Sequence, residues 1–406
     1  MPARRLTQRA WRRPSGRALA PFGDAAPSLM VFDGTLRSAQ DAACAAAGFA
    51  VVDGPAAPDG PHLVFDDDVW FTAEALRRLC DGGAPGRLRV DDDDFLLATW
   101  PLQEGPARGV FALGWSDGRP LEALPVRAVG LGLRTFDPGP VPAALAHAAR
   151  PVRIGPAMVH AVHHWSHLLR VNQLALAARG EEARVAWEAA GPLGKAARAL
   201  RVLAAARGVG EAAILRALNV VGPGCRIHPQ AVVEASVLGP GVEVGAHAVV
   251  RGSVLGAGAR VEEHATVALS VLGARVRVGR YGHLQGCTAM DGAFVSAGDG
   301  FQLSVFGRDC FVAWGVSILD LSLGGPVRVD DPPRDSGHHL LGVAVGHGAV
   351  LGNGVRVNHG VAIPNGACIV GDAHALLRDP RLPATPGPAR VVDGALQAVP
   401  RRGGAT

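Results

Sequence analysis

AVVEASVLGPGVEVGAH (231–247), AVVRGSVLGAGARVEEH (248–264) and ATVALSVLGARVRVGRY (265–281) align as tandem segments of 17 residues, and GHLQGCTAMDGAFVSAG (282–298) and DGFQLSVFGRDCFVAWG (299–315) continue the register. Ser236, Ser253 and Ser270 share one column, and Gly239, Gly256, Gly273 and Gly307 share another. Further on, Val345, Leu351, Val357, Ile363 and Ile369 follow one another in steps of six. One apolar position every five to six residues fits neither the helical period of 3.6 nor the strand period of two. It fits a triangular coil whose three flat faces each send one aliphatic side chain inward, with small residues at the corners. A single turn of such a coil cannot bury its own inner face, so successive turns must stack and share backbone hydrogen bonds along the axis. Each turn then buries about three aliphatic side chains, at roughly 1.5–3 kcal/mol apiece before chain entropy is counted.

Working outward, the register breaks at LSLGGPVRVDDPPRDSGHHLL (321–341), which carries Pro332, Pro333, His338 and His339. This segment is expected to project as a loop, the place where regular scaffolds carry function. The coil is assigned to 220–372 and is preceded by an Ala/Leu-rich helical connector at 151–219, interrupted at Gly191-Pro192. Residues 26–150 read as an α/β domain with short strands at SLMVF (28–32), FAVV (49–52), HLVF (62–65), FLLATW (95–100) and VRAVGLGL (126–133). The tail, 373–406, contains RVVDGALQAV (390–399), with a hairpin turn expected at Asp393-Gly394.

The 406 residues are 48% apolar, with 54 glycines and only 5% aromatics, which suits tightly turned, regular structure. The net charge is +4, and Lys195 is the sole lysine. Arg4, Arg5, Arg9, Arg12, Arg13 and Arg17 crowd the first 20 residues. Such a cluster either meets phosphates or is a solvated terminus; a flexible basic segment over 1–25 is expected, with no nucleic-acid partner. Six cysteines without a C-x-x-C pair give neither a zinc ribbon nor a disulfide framework. No run of about 18 apolar residues is present, so no membrane span and a cytoplasmic setting are expected.

Three further segments carry a resemblance. LVFDDDVWFTAEALRRL (63–79) reads as a strand, an acidic turn and a helix opened by Thr72; HHWSHLLRVNQLALA (163–177) follows in the connector, and RYGHLQG (280–286) lies within the coil. Over about 60–372 the chain resembles the bifunctional bacterial enzymes that acetylate glucosamine 1-phosphate and then uridylylate the product. The resemblance implies an α/β nucleotidyltransferase-like domain joined to an all-β left-handed parallel β-helix of hexapeptide repeats that forms a homotrimer. It also implies transferase chemistry in nucleotide-sugar or cell-envelope precursor synthesis, with a sugar phosphate, a nucleotide and acetyl-CoA or another acyl-CoA as small-molecule partners. Asp68 matches the aspartate that holds the family's catalytic Mg2+, and Asn172 matches the asparagine that completes that site. His283 matches the segment of the acetyltransferase base. In the 17-residue register Leu284 joins the inward column of Val233, Val250 and Val267, so His283 points outward, where a neutral imidazole can take a proton from an attacking amine or hydroxyl.

The chain also departs from that pattern. Asp67 stands where the family has glycine, no tyrosine follows His283, and residues 1–60 contain neither a Gly-rich phosphate loop nor a lysine. Arg12, Arg13 or Arg17 remain as substitute cations. The competing expectation is a trimeric binding or scaffold protein whose sites have decayed.

Other constellations stay open at this level. His160, His163, His164 and His167 have the spacing of one helix face, for a metal ion or as a plain polar surface. Arg251, Arg275, Arg277 and Arg280 recur on successive turns, either to bind phosphates of a sugar phosphate or coenzyme A or to pair with Glu262 and Glu263. Asp91–Asp94 is expected to be a solvated hairpin turn, and His347 and His359 are alternative bases on the coil.

Overall fold

The computed structural model describes residues 8–136, 152–206, 211–371, 389–392 and 395–398. The repeats form a left-handed parallel β-helix. Two of its faces are parallel sheets of eight strands, running from Val220–Val221 to Ala362–Ile363 and from Arg226–Ile227 to Cys368–Ile369. The third face is split into a five-stranded part, from Val232–Glu234 to Phe301–Gln302, and the pair Ser317–Ile318 and Arg356–Val357. Val233, Val250, Val267, Leu284 and Phe301 stack in register, all buried, as the sequence columns require.

Two side-chain columns explain why the turns stack without slipping. The backbone N–H groups of Ser253, Ser270 and Cys287 each donate to the serine Oγ of the preceding turn, at 3.2, 3.1 and 3.0 Å. The glycine column is steric: a Cβ on Gly256 would lie 2.5 Å from the backbone carbon of Gly273, and one on Gly307 would lie 2.7 Å from that of Gly346.

The N-terminal unit holds a mixed six-stranded sheet. Its order is Val126–Ala128, Gly86–Arg89, Val110–Ser116, His62–Asp66, Gln8–Arg13 and Phe49–Asp53. Gln8–Arg13 runs parallel to both of its neighbours. Residues 8–25, expected to be flexible, are therefore part of the core, whereas 1–7 lie outside the described residues. Ala10 and Arg12 face inward, and the buried Arg12 guanidinium pairs with Asp41 and Asp53. The helix Leu36–Ala47 is fixed by a Thr35/Ser38 capping box and ends on Gly48 at φ 90°.

FLLATW is a helix, not a strand. Asp92 accepts the Phe95 N–H at 2.9 Å as its N-cap, and Asp93 and Asp94 lie in the positively polarised first turn of Asp93–Thr99. Asp92 also pairs with Arg153, so the four aspartates start a helix instead of forming a solvated turn. SLMVF and VRAVGLGL contribute only the short strands Met30–Val31 and Val126–Ala128. The connector's helices are Trp165–Glu188, Pro192–Ala206 and Glu211–Ala217. In the tail, Ala389–Val392 pairs antiparallel with Ala395–Ala398; Asp393 and Gly394 lie outside the described residues.

The insertion in the coil does not project. Val327, Val329 and Leu341 are buried in the hydrophobic cluster of the α/β domain, together with Met290, Val305 and Ala344 from the coil. Exposing three large aliphatics would cost more than a free loop gains, so the segment folds back. A polar latch joins the same two bodies: Arg308 pairs with Asp24 at 2.5 Å, His347 Nε2 lies 3.1 Å from Asp24, and Asn365 donates to the Phe22 carbonyl at 2.7 Å. The middle turns of the coil's first face are thereby covered by the N-terminal unit.

Gly256→Ala forces a methyl into the next turn and is expected to lower the unfolding free energy by on the order of 1–3 kcal/mol. Gly180→Ala, whose Cβ meets nothing within 4 Å in a helix, is expected to raise it by roughly 0.5–1 kcal/mol. Urea unfolding monitored by circular dichroism separates the two.

Candidate functional site

The acidic turn lies at the end of His62–Asp66, beside the loop that follows Gln8–Arg13. The two parallel strands put residues 13–17 against residues 66–68. Arg13 Nε donates to Asp66 at 2.7 Å, Asp67 accepts the Ser15 N–H at 2.9 Å, and Arg17 Nε donates to Asp68 Oδ2 at 3.2 Å. Asp67 thus anchors the loop. Burial pushes the Asp66 carboxyl above its usual range, against the pull of Arg13.

Asp68 is buried, and its Oδ2 also faces His163 Nε2 at 3.4 Å. His163 Nδ1 accepts the Glu104 N–H at 2.8 Å, which puts the ring proton on Nε2, toward the carboxylate. Arg17 reaches onward to Glu104 at 2.9 Å. Together with Arg87, Trp100 and Gln103 these groups line a cavity of about 220 Å3.

Asn172 does not join Asp68. Its Oδ1 accepts the Phe32 N–H at 2.7 Å, and its Nδ2 donates to the carbonyls of Met30 and Leu168 at 3.0 and 3.1 Å. The amide is spent fastening the helix Trp165–Glu188 to the Met30–Val31 hairpin. The expected magnesium pair therefore does not fit: one carboxylate is shared with a guanidinium, and the second ligand is engaged elsewhere. Magnesium takes oxygen ligands, and the Asp68 Oδ2 that faces the cavity is already held by Arg17 and His163.

The four histidines do not share a helix face. His160 lies in the strand Val159–Ala161 and His164 caps the helix that starts at Trp165, with His167 in its first turn. They still meet: the His160 and His167 rings lie 5.0 Å apart and those of His164 and His167 6.0 Å apart. His167 Nδ1 accepts the His163 N–H at 3.0 Å while Nε2 donates to the Pro101 carbonyl at 2.8 Å, and His164 Nε2 lies 3.1 Å from Asp330. Among the described residues no group of three or more His, Cys, Asp or Glu is arranged to hold a metal ion. Burial lowers the pKa of His160 to about 3 and that of His167 well below 6.5, so both are neutral core groups.

On the coil, His283 occupies the outward position beside inward Leu284 on the third face, in register with Thr266. The ring has no hydrogen-bond partner among the described residues. A Cβ on Gly300 would lie 3.9 Å from the His283 Cβ, so the glycine leaves the space above the ring open. His347 is excluded as a base because Nε2 faces Asp24 and Nδ1 accepts the Arg308 N–H at 2.8 Å. His359 keeps a buried Nδ1 without a partner among the described residues.

The arginines do not converge on His283. Arg251 pairs with Glu234 at 2.9 Å, Arg277 with Glu262 at 2.5 Å and Arg280 with Glu263 at 2.8 Å. Arg277 belongs to the second face, where it also lies 4.7 Å over the Phe294 ring. Arg280 lines a groove of about 650 Å3 in which Arg226 and Arg260 are matched by Glu243, Glu262 and Glu263. Arg275 alone is exposed at a corner without a carboxylate partner among the described residues. Arg17, expected as a substitute cation, and His163, expected as one of four spaced histidines, meet at Asp68; Arg87 escapes a sequence reading because it comes from a separate segment, and the alternation of Arg13, Ser15 and Arg17 against Asp66–Asp68 is a signal for the grouping.

The GMPPB C-terminal domain family matches residues 202–298, which include His283. No curated protein matches the chain. Among solved structures, the polysialic acid O-acetyltransferase OatWY is 18% identical over 46% of this chain and 93% of that one, with a TM-score of 0.18. The acetyltransferase domain of PglB from Neisseria gonorrhoeae FA1090 matches in complex with acetyl coenzyme A (18% identity, TM-score 0.14) and without it (16%, 0.13). Each PglB match spans 38% of this chain and 54% of that one. These scores assign no activity. No helix among the described residues is long and apolar enough to cross a membrane.

The buried histidines give the stability a defined pH dependence. Their folded pKa values lie below the unfolded value of 6.5, so the unfolded chain takes up protons first as pH falls. The contribution of these groups is fully present above the unfolded value and is expected to be lost as pH falls from 6.5 to 5, with His160 and His167 each contributing up to about 1.4 kcal/mol per pH unit and His164 acting in the same direction. Urea midpoints across that range check this, and His160→Gln reduces the slope by one proton.

Proposed function

We propose that the chain is an acyltransferase acting on a sugar phosphate or nucleotide sugar, with its chemistry on the β-helix and His283 as general base. One observation carries the reading: an outward imidazole with no partner among the described residues, held by a rigid strand beneath an open glycine position. The acceptor's hydroxyl or amine attacks the thioester carbonyl of an acyl-CoA, His283 takes the proton, and the proton leaves on the released thiol. The match of residues 202–298 to the GMPPB C-terminal domain supports sugar-related transfer. A homotrimer is part of the proposal. Val232, Val249 and Thr266 form a half-buried column that ends on His283, a strip suited to a second copy, whose wall then closes the site. Arg275 is the remaining candidate for a phosphate contact of the acyl donor. The setting proposed is the cytoplasm, where acyl-CoA is made.

The second reading, a scaffold without turnover, is favoured at the N-terminal site only: Arg17 neutralises Asp68 and Asn172 is engaged, so nucleotidyl transfer is not part of the proposal. His283→Ala is expected to lower release of free thiol from acetyl-CoA in the presence of glucosamine 1-phosphate by roughly 10²–10⁴-fold, with assembly unchanged by light scattering. An unchanged rate in that variant removes His283 from the mechanism, and no thiol release from the parent protein with any sugar phosphate favours the scaffold.

A further inference from the structure

The helix Pro192–Ala206 turns its apolar stripe away from the protein. Leu193, Ala197, Leu200 and Ala204 recur at the spacing of one helix face, and all four are exposed, Leu193 by 88% and Leu200 by 69%. The half-buried positions are instead Lys195, Ala199 and Val202, although the helix lies against Glu211–Ala217. An amphipathic helix of a globular protein normally buries its stripe. Just before it, Val185 and Trp187 near the end of Trp165–Glu188 are 39% and 41% exposed. The charge in this region is of one sign: Lys195, Arg198, Arg201 and Arg207 are the charged residues between Glu188 and Glu211, with no acid among them. We propose that Pro192–Ala206 is a peripheral membrane-docking helix that lies flat on an anionic lipid surface.

Charge selects lipid as the occupant. A second copy of the same helix would set arginine against arginine with no acid between them, and like charges across an interface are unfavourable. An anionic headgroup layer answers both features at once: the leucines and alanines enter the acyl boundary, and the cations meet phosphate oxygens. Trp187 is of the residue type enriched at that boundary. Neither feature suffices alone. The stripe has two leucines and otherwise alanine, too little apolar area to hold a protein on neutral lipid, and the charge by itself is screened by salt. Docking is therefore reversible and needs both together. Spanning is not involved, because 15 helical residues reach about 22 Å against a hydrocarbon core of ~30 Å. The inference goes beyond acyl transfer and stands whether or not His283 is the base.

Co-sedimentation of the full chain with vesicles of phosphatidylcholine alone, and of phosphatidylcholine mixed with phosphatidylglycerol, at low and high salt, tests this. The parent chain is expected to bind the mixed vesicles at low salt, to release them at high salt, and to bind phosphatidylcholine alone at least about tenfold more weakly. Lys195→Gln and Arg198→Gln are each expected to weaken binding to mixed vesicles by roughly fivefold. Leu193→Asn combined with Leu200→Asn is expected to weaken it by at least about tenfold with the charge unchanged. Circular dichroism and light scattering follow fold and assembly, and the charge variants decide alone should the leucine variant lose helix. Equal binding to neutral vesicles, unchanged binding in both sets of variants, or no vesicle binding by the parent chain would overturn the assignment. The last result, with a smaller assembly in the leucine variant, would give the stripe to a second copy.

Discussion

The axial hydrogen bonds between successive turns of the coil are what the remaining structure hangs on. They form only if every turn has the same rise and the same corners, which is why glycine recurs where a Cβ would strike the next turn's backbone and serine recurs where an Oγ can meet the next N–H. Once that register is set, the direction of each side chain follows. Leu284 points inward because Val267 below it does, and His283 points outward as a consequence. The position of the candidate base is thus a result of stacking, and it needs no special local structure.

The α/β domain depends on a different balance, arginine against aspartate across parallel strands. Arg12 is buried among apolar side chains and pairs with Asp41 and Asp53, while Arg13 and Arg17 hold Asp66 and Asp68. Breaking one partner of such a pair strands a charge in a poor dielectric, so these residues act as a set. The same set shapes the acidic turn: where a phosphate loop and a metal would supply positive charge, the chain supplies guanidinium groups from Gln8–Arg13 and the loop that follows it.

The coil was legible in the sequence because its period is enforced at every turn, and the inward columns read from the repeats are the buried columns of the structure. The Thr72 cap and the strands FAVV and HLVF were legible for similar local reasons. What escaped was set by distant partners. QRAWRR has too few apolar residues to read as a central strand, and its inward Arg12 makes sense only once Asp41 and Asp53 are placed beside it. FLLATW alternates poorly for a helix, yet an Asp92 cap held by Arg153 decides the matter. The histidine spacing suggested one helix, but His160 pairs in a strand opposite Trp70 and the helix starts only after His164. Asn172 matched a motif position while its amide was committed to backbone groups near residue 30.

The two bodies also constrain each other. The first face of the coil is covered over its middle turns by the long connector helix, the folded-back insertion and the latch around Asp24, while Val220, Val221 and Ala362 at its two ends stay exposed. Elsewhere on the coil Phe311 on the second face is 38% exposed, and Leu269, Tyr281 and Trp314 at its corners are 58%, 61% and 54% exposed. Large apolar side chains at that level of exposure, on a rigid and regular surface, are the usual material of a contact between subunits. The third face carries His283, so in the proposed homotrimer packing there would bring a second wall to the imidazole. In the homotrimer proposed above, docking the N-terminal domain against the first face would leave the third face, which carries His283, to the neighbouring copy.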